Sequence, residues 1–462
     1  MRARRGIIVV LILVMIAILS LVAASQLFIA QSDVAAASAQ RQGSQARAAA
    51  MSGIHRAMSL LLEMPDDPDA RHDNPDVFRH QLVCGQDDKD GWYFTVFCDD
   101  LSEGGTIRFG LEDEAGKINI NIAGKAVLMN LPAVTDAMAD CLLDYRGAPG
   151  NHPNGAKQDY YDQLPKPYQI KNGPLATLEE LLLVKGFTGT VVFGEDANRN
   201  GFLEPNENDA DASFPPDDAD GQLNRGLRCL ATAVSYEYNL TNAGQPRVNI
   251  TKGDANSLKS QLSGRNLPDG LPDFLAAARQ QNLAILDPSA LLGMKLDVAD
   301  PKNPNNKTQI SSPVTAENLP AVLDQLTTGG FPYNGQEVLF GRVNINVAPK
   351  AALMALPGVS EEIAQRIIDL RGQLQPDERT TIAWLYAQNV VSADVFKQVA
   401  PLLTARSKQF RLRSYGYSMV SGRFCYLEAI IDIAEGRPRI SYLRDLTRLG
   451  MPFAPSLAAG QQ

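Results

Sequence analysis

A long apolar stretch near the amino terminus constrains this chain more than any other feature. Residues 7–30 contain no charged side chain, whereas Arg2, Arg4 and Arg5 precede them, and the next charge is Asp33. About 20 apolar residues are enough for a helix to cross a bilayer core of roughly 30 Å. Because arginine favours the cytoplasmic end of such a helix, we expect residues 33–462 to lie on the far side of the membrane.

The basic segment and Gly6 leave three interpretations of this stretch. A cleaved secretory signal normally has an apolar region of only about 7–15 residues, although Val22-Ala23-Ala24 keeps that interpretation open. A permanent membrane anchor is the second interpretation. The third is a leader that resembles the prepilin type, cut between Gly6 and Ile7, because a short basic segment ending in glycine directly precedes the apolar run. The third interpretation fits the residues best.

The helix is predicted to continue well beyond the apolar stretch. Residues 31–62 are rich in good helix formers, and the first proline of the chain is Pro65. A helix over residues 7–63 would be on the order of 85 Å long. An apolar half followed by an amphipathic half resembles the layout of type IV pilins and pseudopilins, in which the second half packs on a sheet.

An internal repeat organises the middle of the chain. Residues 117–147 and 342–372 align without gaps at an offset of 225, with 15 of 31 positions identical, and PRVNIT at 246–251 is a shorter echo. Each copy predicts a short strand, a helix, a Leu-Pro turn and a second helix, which Thr135 or Ser360 would cap. A third element follows each copy. The sequence therefore predicts two helix-hairpin-helix-like modules, at 117–189 and 342–405.

An acidic loop over residues 194–221 carries the spacing of an EF-hand calcium loop. The pattern D-x-N-x-N-G-x5-E supplies oxygen ligands to one hard cation, with glycine at the sharp turn. The predicted ligands are Asp196, Asn198, Asn200, the Phe202 carbonyl, Glu204 and Glu207. We expect a structural calcium ion here, because the carboxylates would otherwise repel one another. The alternative is a solvated acidic loop.

Strands are predicted on both sides of this helical material. Residues 92–122 and 409–446 are rich in β-branched and aromatic residues, and residues 425–433 alternate as expected for a sheet with one buried face. We predict an α+β chain: a leader (1–6), the long helix (7–63), a sheet domain in two parts (64–118 and 406–450), a helical insertion (119–405) and a flexible tail (451–462).

Several classes of function find little support in the residues. The net charge of −9 argues against nucleic acid, and the two hairpin turns lack the second glycine of phosphate-binding turns. We found no nucleotide-binding, zinc-protease or serine-hydrolase motif, so we do not expect an enzyme. Cys84 and Cys98 could form a disulfide in an oxidising compartment, or they could be free thiols.

Taken in order, these segments resemble the type II secretion system protein K family, whose members are minor pseudopilins. The leader, the two repeats, the TLEELLLVKG segment at 177–186, the acidic loop and the RPRISYLRDL strand at 437–446 carry the resemblance. It implies a type IV pilin-like fold with a large helical insertion, calcium in that insertion, and cleavage by a prepilin peptidase, with N-methylation of the new terminus. Leu11 occupies the fifth mature position, where most pilins carry glutamate but this family does not.

The resemblance also implies a role. We expect a single-pass inner-membrane protein with a periplasmic head, which stands at the pseudopilus tip with other minor pseudopilins, initiates assembly and aids export of folded proteins. Its expected contacts are those pseudopilins, the peptidase, membrane lipid and secreted proteins. The alternative is a membrane-anchored helix-hairpin-helix protein for DNA uptake.

Overall fold

The amino-terminal helix is the longest element of the fold. Helix α1 spans Arg4–Glu63, which is 60 residues and roughly 90 Å. This computed structural model describes residues 4–63, 68–101, 106–210, 212–300 and 303–460, so residues 1–3 of the predicted leader lie outside it. The helix begins at Arg4, so residues 4–6 of the predicted leader and the apolar run are continuous in backbone conformation.

The other helices and the strands are short and are numbered in chain order. The helices are α2 (Pro68–His72), α3 (Pro75–Phe78), α4 (Asp87–Asp90), α5 (Lys125–Met129), α6 (Asp136–Tyr145), α7 (Gln158–Asp162), α8 (Gly189–Phe193), α9 (Ala255–Leu262), α10 (Leu271–Gln280), α11 (Leu319–Gln325), α12 (Lys350–Met354), α13 (Glu361–Arg371), α14 (Trp384–Ala387), α15 (Ala393–Val399) and α16 (Pro455–Ala458). The strands are β1 (Gln81–Cys84), β2 (Trp92–Asp99), β3 (Ile107–Arg108), β4 (Glu112–Asp113), β5 (Ile118–Asn119), β6 (Ala231–Thr232), β7 (Tyr236–Tyr238), β8 (Val248–Asn249), β9 (Lys295–Asp300), β10 (Asn303–Ser311), β11 (Leu326–Thr327), β12 (Phe331–Tyr333), β13 (Gln336–Phe340), β14 (Val343–Asn344), β15 (Leu403–Thr404), β16 (Gln409–Tyr417), β17 (Phe424–Asp432) and β18 (Arg439–Asp445).

One antiparallel sheet joins the early and late parts of the chain. Its main path is β1-β2-β16-β17-β18, with β3 beside β2 and β4 beside β16. Strands β16 and β17 pair in direct register, with Tyr415 opposite Tyr426. Because β2 precedes the helical insertion and β16 follows it, the insertion leaves the sheet and returns to it. The predicted α+β, pilin-like class with a helical insertion is confirmed.

Helix α1 packs on this sheet through small residues. Its buried face is built from Ala46, Ala49, Ala50, Ile54, Ala57, Leu60 and Leu61. Opposite them lies Gly416 of β16, where a Cβ atom would overlap the Ala46 carbonyl oxygen and the Ala50 amide nitrogen. Ser414 donates a hydrogen bond of 2.7 Å to the Ala50 carbonyl. The helix therefore approaches the strand at backbone distance.

The opposite face of the sheet is also covered, which corrects the predicted one-sided sheet. Residues 425–432 of β17 are all buried. Tyr415, Tyr417 and Tyr426 pack there against Phe453 and Ala458 of the carboxyl-terminal segment. That segment was predicted to be a flexible tail, but it includes α16 and packs on the sheet. Residues 461–462 lie outside the described part of the chain.

The helical insertion contains three copies of one module. Each module opens with a two-residue strand that pairs in parallel with a closing strand ending in threonine: β5 with β6, β8 with β11, and β14 with β15. Module 1 is residues 118–232, module 2 is residues 248–327 and module 3 is residues 343–404. The two predicted modules are present, but module 1 extends to β6 at Thr232 instead of ending at residue 189. Module 2 is the structural counterpart of the PRVNIT echo.

The same polar side chains lock all three modules. The asparagine of each opening strand accepts a hydrogen bond from the amide two residues later: Asn119 from Asn121, Asn249 from Thr251, and Asn344 from Asn346. An arginine at the end of the second helix donates a hydrogen bond to the carbonyl four residues after that asparagine: Arg146 to Ala123, Arg279 to Gly253, and Arg371 to Ala348. These equivalences identify module 2 as a diverged copy.

Candidate functional site

The apolar half of α1 lies outside the protein core. Within the described residues one helix, Ile8–Glu63, is long and apolar enough to cross a membrane. Side chains from Ile8 to Val34 are exposed, and Leu11 is 60% exposed. Gly6 and Ile7, the predicted cleavage pair, lie in the first turns of the helix. An unburied apolar helix of this length fits a single-pass membrane anchor.

Modules 1 and 3, together with the glycine two residues before each, contact each other through equivalent residues. Gly116 lies against Val347, and Gly341, the residue 225 positions after Gly116, lies against Ile122, the counterpart of Val347. The side chain of Asn130 also donates to the carbonyl of Ala355, its own counterpart, at 3.2 Å. Such reciprocal contacts define an approximate two-fold relation between the modules.

The two hairpin turns are built for packing rather than for phosphate. Gly358 has φ of 75°, and Ala133 holds the equivalent left-handed position with φ of 60°, which is uncommon for a residue with a Cβ. Glu361, in the first turn of α13, pairs with Lys350 at 2.9 Å. The helix start in module 3 therefore carries an acidic side chain where a DNA phosphate would have to bind.

In the predicted calcium loop, side-chain carboxylates accept hydrogen bonds from amide groups of the same loop. Asp196 is buried and accepts hydrogen bonds from the amides of Asn200 and Gly201 at 3.0 and 3.1 Å. The side-chain amides of Asn198 and Asn200 reach Glu204 at 2.9 and 3.0 Å. The structure thus brings two of the predicted ligands, Asn198 and Asn200, into contact with a third, Glu204.

Glu207 closes the same loop. Its carboxylate accepts from the amides of Ala197 and Glu204 at 3.1 and 3.2 Å. Burial raises the pKa of Glu207 to about 7, and the Asp196 and Glu204 carboxylates add to that rise. Carboxylates crowded in this way, together with amide and carbonyl oxygens, are the donors a hard cation such as calcium prefers.

Fewer acidic groups meet here than in a fully carboxylate site. Among the described residues, no three His, Cys, Asp or Glu side chains lie in an arrangement that could hold a metal. The predicted set instead includes two asparagines and the Phe202 carbonyl. The residues fit a calcium ion by the chemistry of their donors, and calcium stays a prediction.

A network of buried ion pairs surrounds the loop, and sequence reasoning missed it. Arg228 contacts Asp196 at 2.5 Å and Asp99 at 3.2 Å, and Arg413 contacts Asp99 at 2.8 Å. Burial alone would raise the pKa of Asp99, but Arg228 and Arg413 outweigh that effect and hold it well below its ordinary value. Strand alternation marks Arg413 as a polar position, and nothing in the sequence shows that its face is covered.

The five cysteines are free thiols in this structure. Of the two interpretations left open by the sequence, the disulfide is not formed, since Cys84 is an exposed free thiol and Cys98 a buried one. In the sheet, Cys84 lies opposite Trp92 and Cys98 lies opposite Arg108. The two residues are therefore held in separate strand pairs, and the other interpretation, free thiols, holds.

Two segments of the helical insertion match the models of known families. Residues 125–193 match the family model of the type II secretion system (T2SS) protein K. The predicted resemblance to protein K is confirmed. Residues 338–404, which include module 3, match the model of the helix-hairpin-helix motif.

One solved structure shows a distant likeness to this chain. A chain from the crystal structure of the GspK-GspI-GspJ complex of the enterotoxigenic Escherichia coli type 2 secretion system is 12% identical, with a TM-score of 0.43. The alignment covers 88% of this chain and 98% of that chain. No curated protein matches the sequence.

Proposed function

We propose that this chain is a minor pseudopilin of the type II secretion system that stands at the tip of the pseudopilus. The observation that carries the proposal is a protein K domain, in residues 125–193, inserted into a pilin-like head on an exposed apolar helix. The role is structural: the chain initiates assembly and aids the export of folded proteins across the outer membrane. Its lipid-facing helix lies in the inner membrane and its head in the periplasm.

The start of α1 supports a place at the tip. In most pilins a glutamate at the fifth mature position pairs with the terminal amine of a neighbouring subunit. Leu11 holds that position here and has no carboxylate to offer. A subunit of this kind would not recruit a neighbour above itself through that pair, whereas its free terminus can still pair with a glutamate of another minor pseudopilin below.

Processing by a prepilin peptidase tests the proposal directly. We expect the membrane form of the protein to begin at Ile7, with an N-methylated amine, and to co-purify with other pilin-like proteins. Intact-mass spectrometry of the native protein measures the new terminus. In cells that lack the peptidase the chain should retain residues 1–6. Retention of residues 1–6 in cells with an active peptidase would contradict the proposal.

A structural calcium ion is the second part of the proposal. Asp196, Asn198, Asn200, Glu204 and Glu207, with the Phe202 carbonyl, would hold the ion and would lose their mutual repulsion on binding. At free calcium a hundred times the dissociation constant, such binding stabilises a fold by about 2.7 kcal/mol. We therefore expect chelation to lower the melting temperature of the full chain in detergent.

Two variants make the calcium prediction specific. Asp196→Ala should abolish the difference between the melting temperatures measured with calcium and with chelator. Asp269→Ala, which alters an exposed carboxylate outside the loop, should leave that difference intact. Equal melting temperatures of the wild-type protein with and without chelator would contradict the proposed calcium ion.

The alternative function, DNA uptake, gains no support from the geometry. The first turns of α6 and α13 carry Asp136, Glu361 and Glu362. Negative charge at a helix start opposes phosphate binding at that position. The modules are better suited to packing and to protein partners.

A further inference from the structure

Between its predicted ligands, the predicted calcium loop has two residues, at positions 4 and 6, whose backbone has a different role. Positions 1, 3, 5 and 7 of the loop, from Asp196 to Phe202, supply the predicted ligands. Positions 4 and 6 are Arg199 and Gly201, whose φ angles of 60° and 79° are left-handed. The carbonyls of these two residues accept hydrogen bonds from residues outside the twelve-residue loop.

The sheet holds the Arg199 carbonyl. Tyr426 of β17 donates its hydroxyl to that oxygen at 2.8 Å, and Arg413 of β16 donates a guanidinium N–H to the same atom. Tyr426 is 0% exposed and Arg413 is 3% exposed. The Arg199 side chain also lies 3.5 Å from Glu428 of β17. Two adjacent central strands thus fix one backbone atom in the middle of the loop.

The Gly201 side of the loop is held in the same way. Arg225 donates to the Gly201 carbonyl at 3.1 Å and to the Thr106 carbonyl at 3.1 Å, which ties the loop to the segment before β3. A Cβ atom on Gly201 would lie 2.9 Å from Ile107 and 3.1 Å from Asp99. The backbone of the loop therefore packs directly against strands β2 and β3.

Asp196 connects the ligand side to this anchoring side. Its carboxylate contacts Arg228, which contacts Asp99 of β2, which in turn contacts Arg413. Arg413 returns to the loop at the Arg199 carbonyl. A predicted calcium ligand and the clamp on the loop backbone therefore belong to one closed ring of contacts, which includes two strands of the pilin-like sheet.

We propose that Tyr426 and Arg413 are positioning residues for the calcium loop, so that calcium binding and docking of the helical insertion on the sheet are one coupled equilibrium. The inference rests on the proposed calcium ion. Residues that orient metal ligands from outside typically contribute 10–100-fold to metal affinity. Loss of calcium then loosens the contact between the insertion and β16–β17, in addition to opening a surface loop.

A pair of tyrosine variants tests the coupling. Tyr426→Phe removes only the hydroxyl that binds the Arg199 carbonyl, and we expect calcium affinity about tenfold weaker by titration calorimetry of the full chain in detergent. Tyr415→Phe is the matched control: Tyr415 is buried directly opposite Tyr426, and its hydroxyl has no hydrogen-bond partner among the described residues. Its calcium affinity should equal that of the wild type.

Two further measurements separate positioning from a general loss of stability. The rise in melting temperature that calcium produces should be smaller in Tyr426→Phe than in Tyr415→Phe, whatever the melting temperature of each calcium-free variant. Chelation should also speed amide hydrogen exchange in β16 and β17 of the wild-type protein. Equal calcium affinities in both variants, or exchange that changes only within residues 194–208, would overturn the coupling and leave the calcium site standing. A wild-type chain that binds no calcium would remove both.

Discussion

Replacing Gly416 with alanine is expected to destabilise the protein by about 3 kcal/mol, the upper part of the range for overpacked cores. The new methyl group would overlap the Ala46 carbonyl and the Ala50 amide, and would lie 2.9 Å from Ala50 Cα. These are backbone atoms of α1, so no side-chain rotation relieves the contact. The whole helix would have to move away from β16, and the alanines around it would lose their packing.

Thermal or denaturant unfolding of the full chain in detergent measures the effect. Gly43→Ala is the matched control, because Gly43 lies in the same helix and a Cβ there meets nothing within 4 Å. Alanine is favoured over glycine in an exposed helix by about 1 kcal/mol, so this variant should be slightly stabilised. If Gly416→Ala unfolds at the wild-type temperature, the close approach of α1 to β16 is refuted.

Glu114→Gln is expected to cost about 3 kcal/mol, because it removes one of the two carboxylates that neutralise each of two buried cations. Arg411 then keeps Glu428 at 3.4 Å, and Lys117 keeps Glu112 at 2.9 Å. Glu114 is 0% exposed and lies 2.6 Å from Arg411 and 3.3 Å from Lys117. It also accepts a hydrogen bond from Thr232 of module 1. The carboxylate therefore joins the sheet, through Arg411, to the insertion.

The pH dependence of this loss has a definite sign. Burial alone would raise the pKa of Glu114, but Arg411 and Lys117 outweigh it and lower the pKa to about 2 from an ordinary 4.5. The contribution of Glu114 is therefore complete above pH 4.5 and is lost as the pH falls toward 2. Wild type and variant should converge in stability over that interval.

An exposed carboxylate provides the comparison for Glu114. Glu361 pairs with Lys350 at the surface, where its side chain is 70% exposed. Glu361→Gln should leave the melting temperature unchanged across the pH series, since exposed pairs contribute little. If the stability of both variants, relative to the wild type, changed in the same way as the pH falls, the buried network would not determine the stability of the contact between the sheet and the insertion.

The sequence predicted the elements that local patterns determine. The apolar run, the absence of proline before Pro65 and the periodic helix formers were enough to predict α1. Identity at 15 of 31 aligned positions was enough to predict modules 1 and 3. Module 2 was missed because only PRVNIT survives of the pattern, and because the β9–β10 hairpin interrupts the module.

The anchoring residues of the calcium loop could not be predicted, for a different reason. The spacing within the loop is enough to predict the calcium ligands, since they lie within twelve residues of one another. Arg413 and Tyr426 come more than 200 positions later, on strands whose alternation suggested one solvated face. Burial of that face depends on the insertion and on the tail around Phe453. Only the tertiary structure brings these residues to the Arg199 carbonyl.

The reciprocal contact between modules 1 and 3 bears on stoichiometry. A self-complementary patch on a single module would be free to pair two separate chains, in the manner of a homodimer. Here Gly116 with Val347, and Gly341 with Ile122, satisfy that patch inside one polypeptide. The surface that could have paired the heads of two separate chains is thus used within one chain.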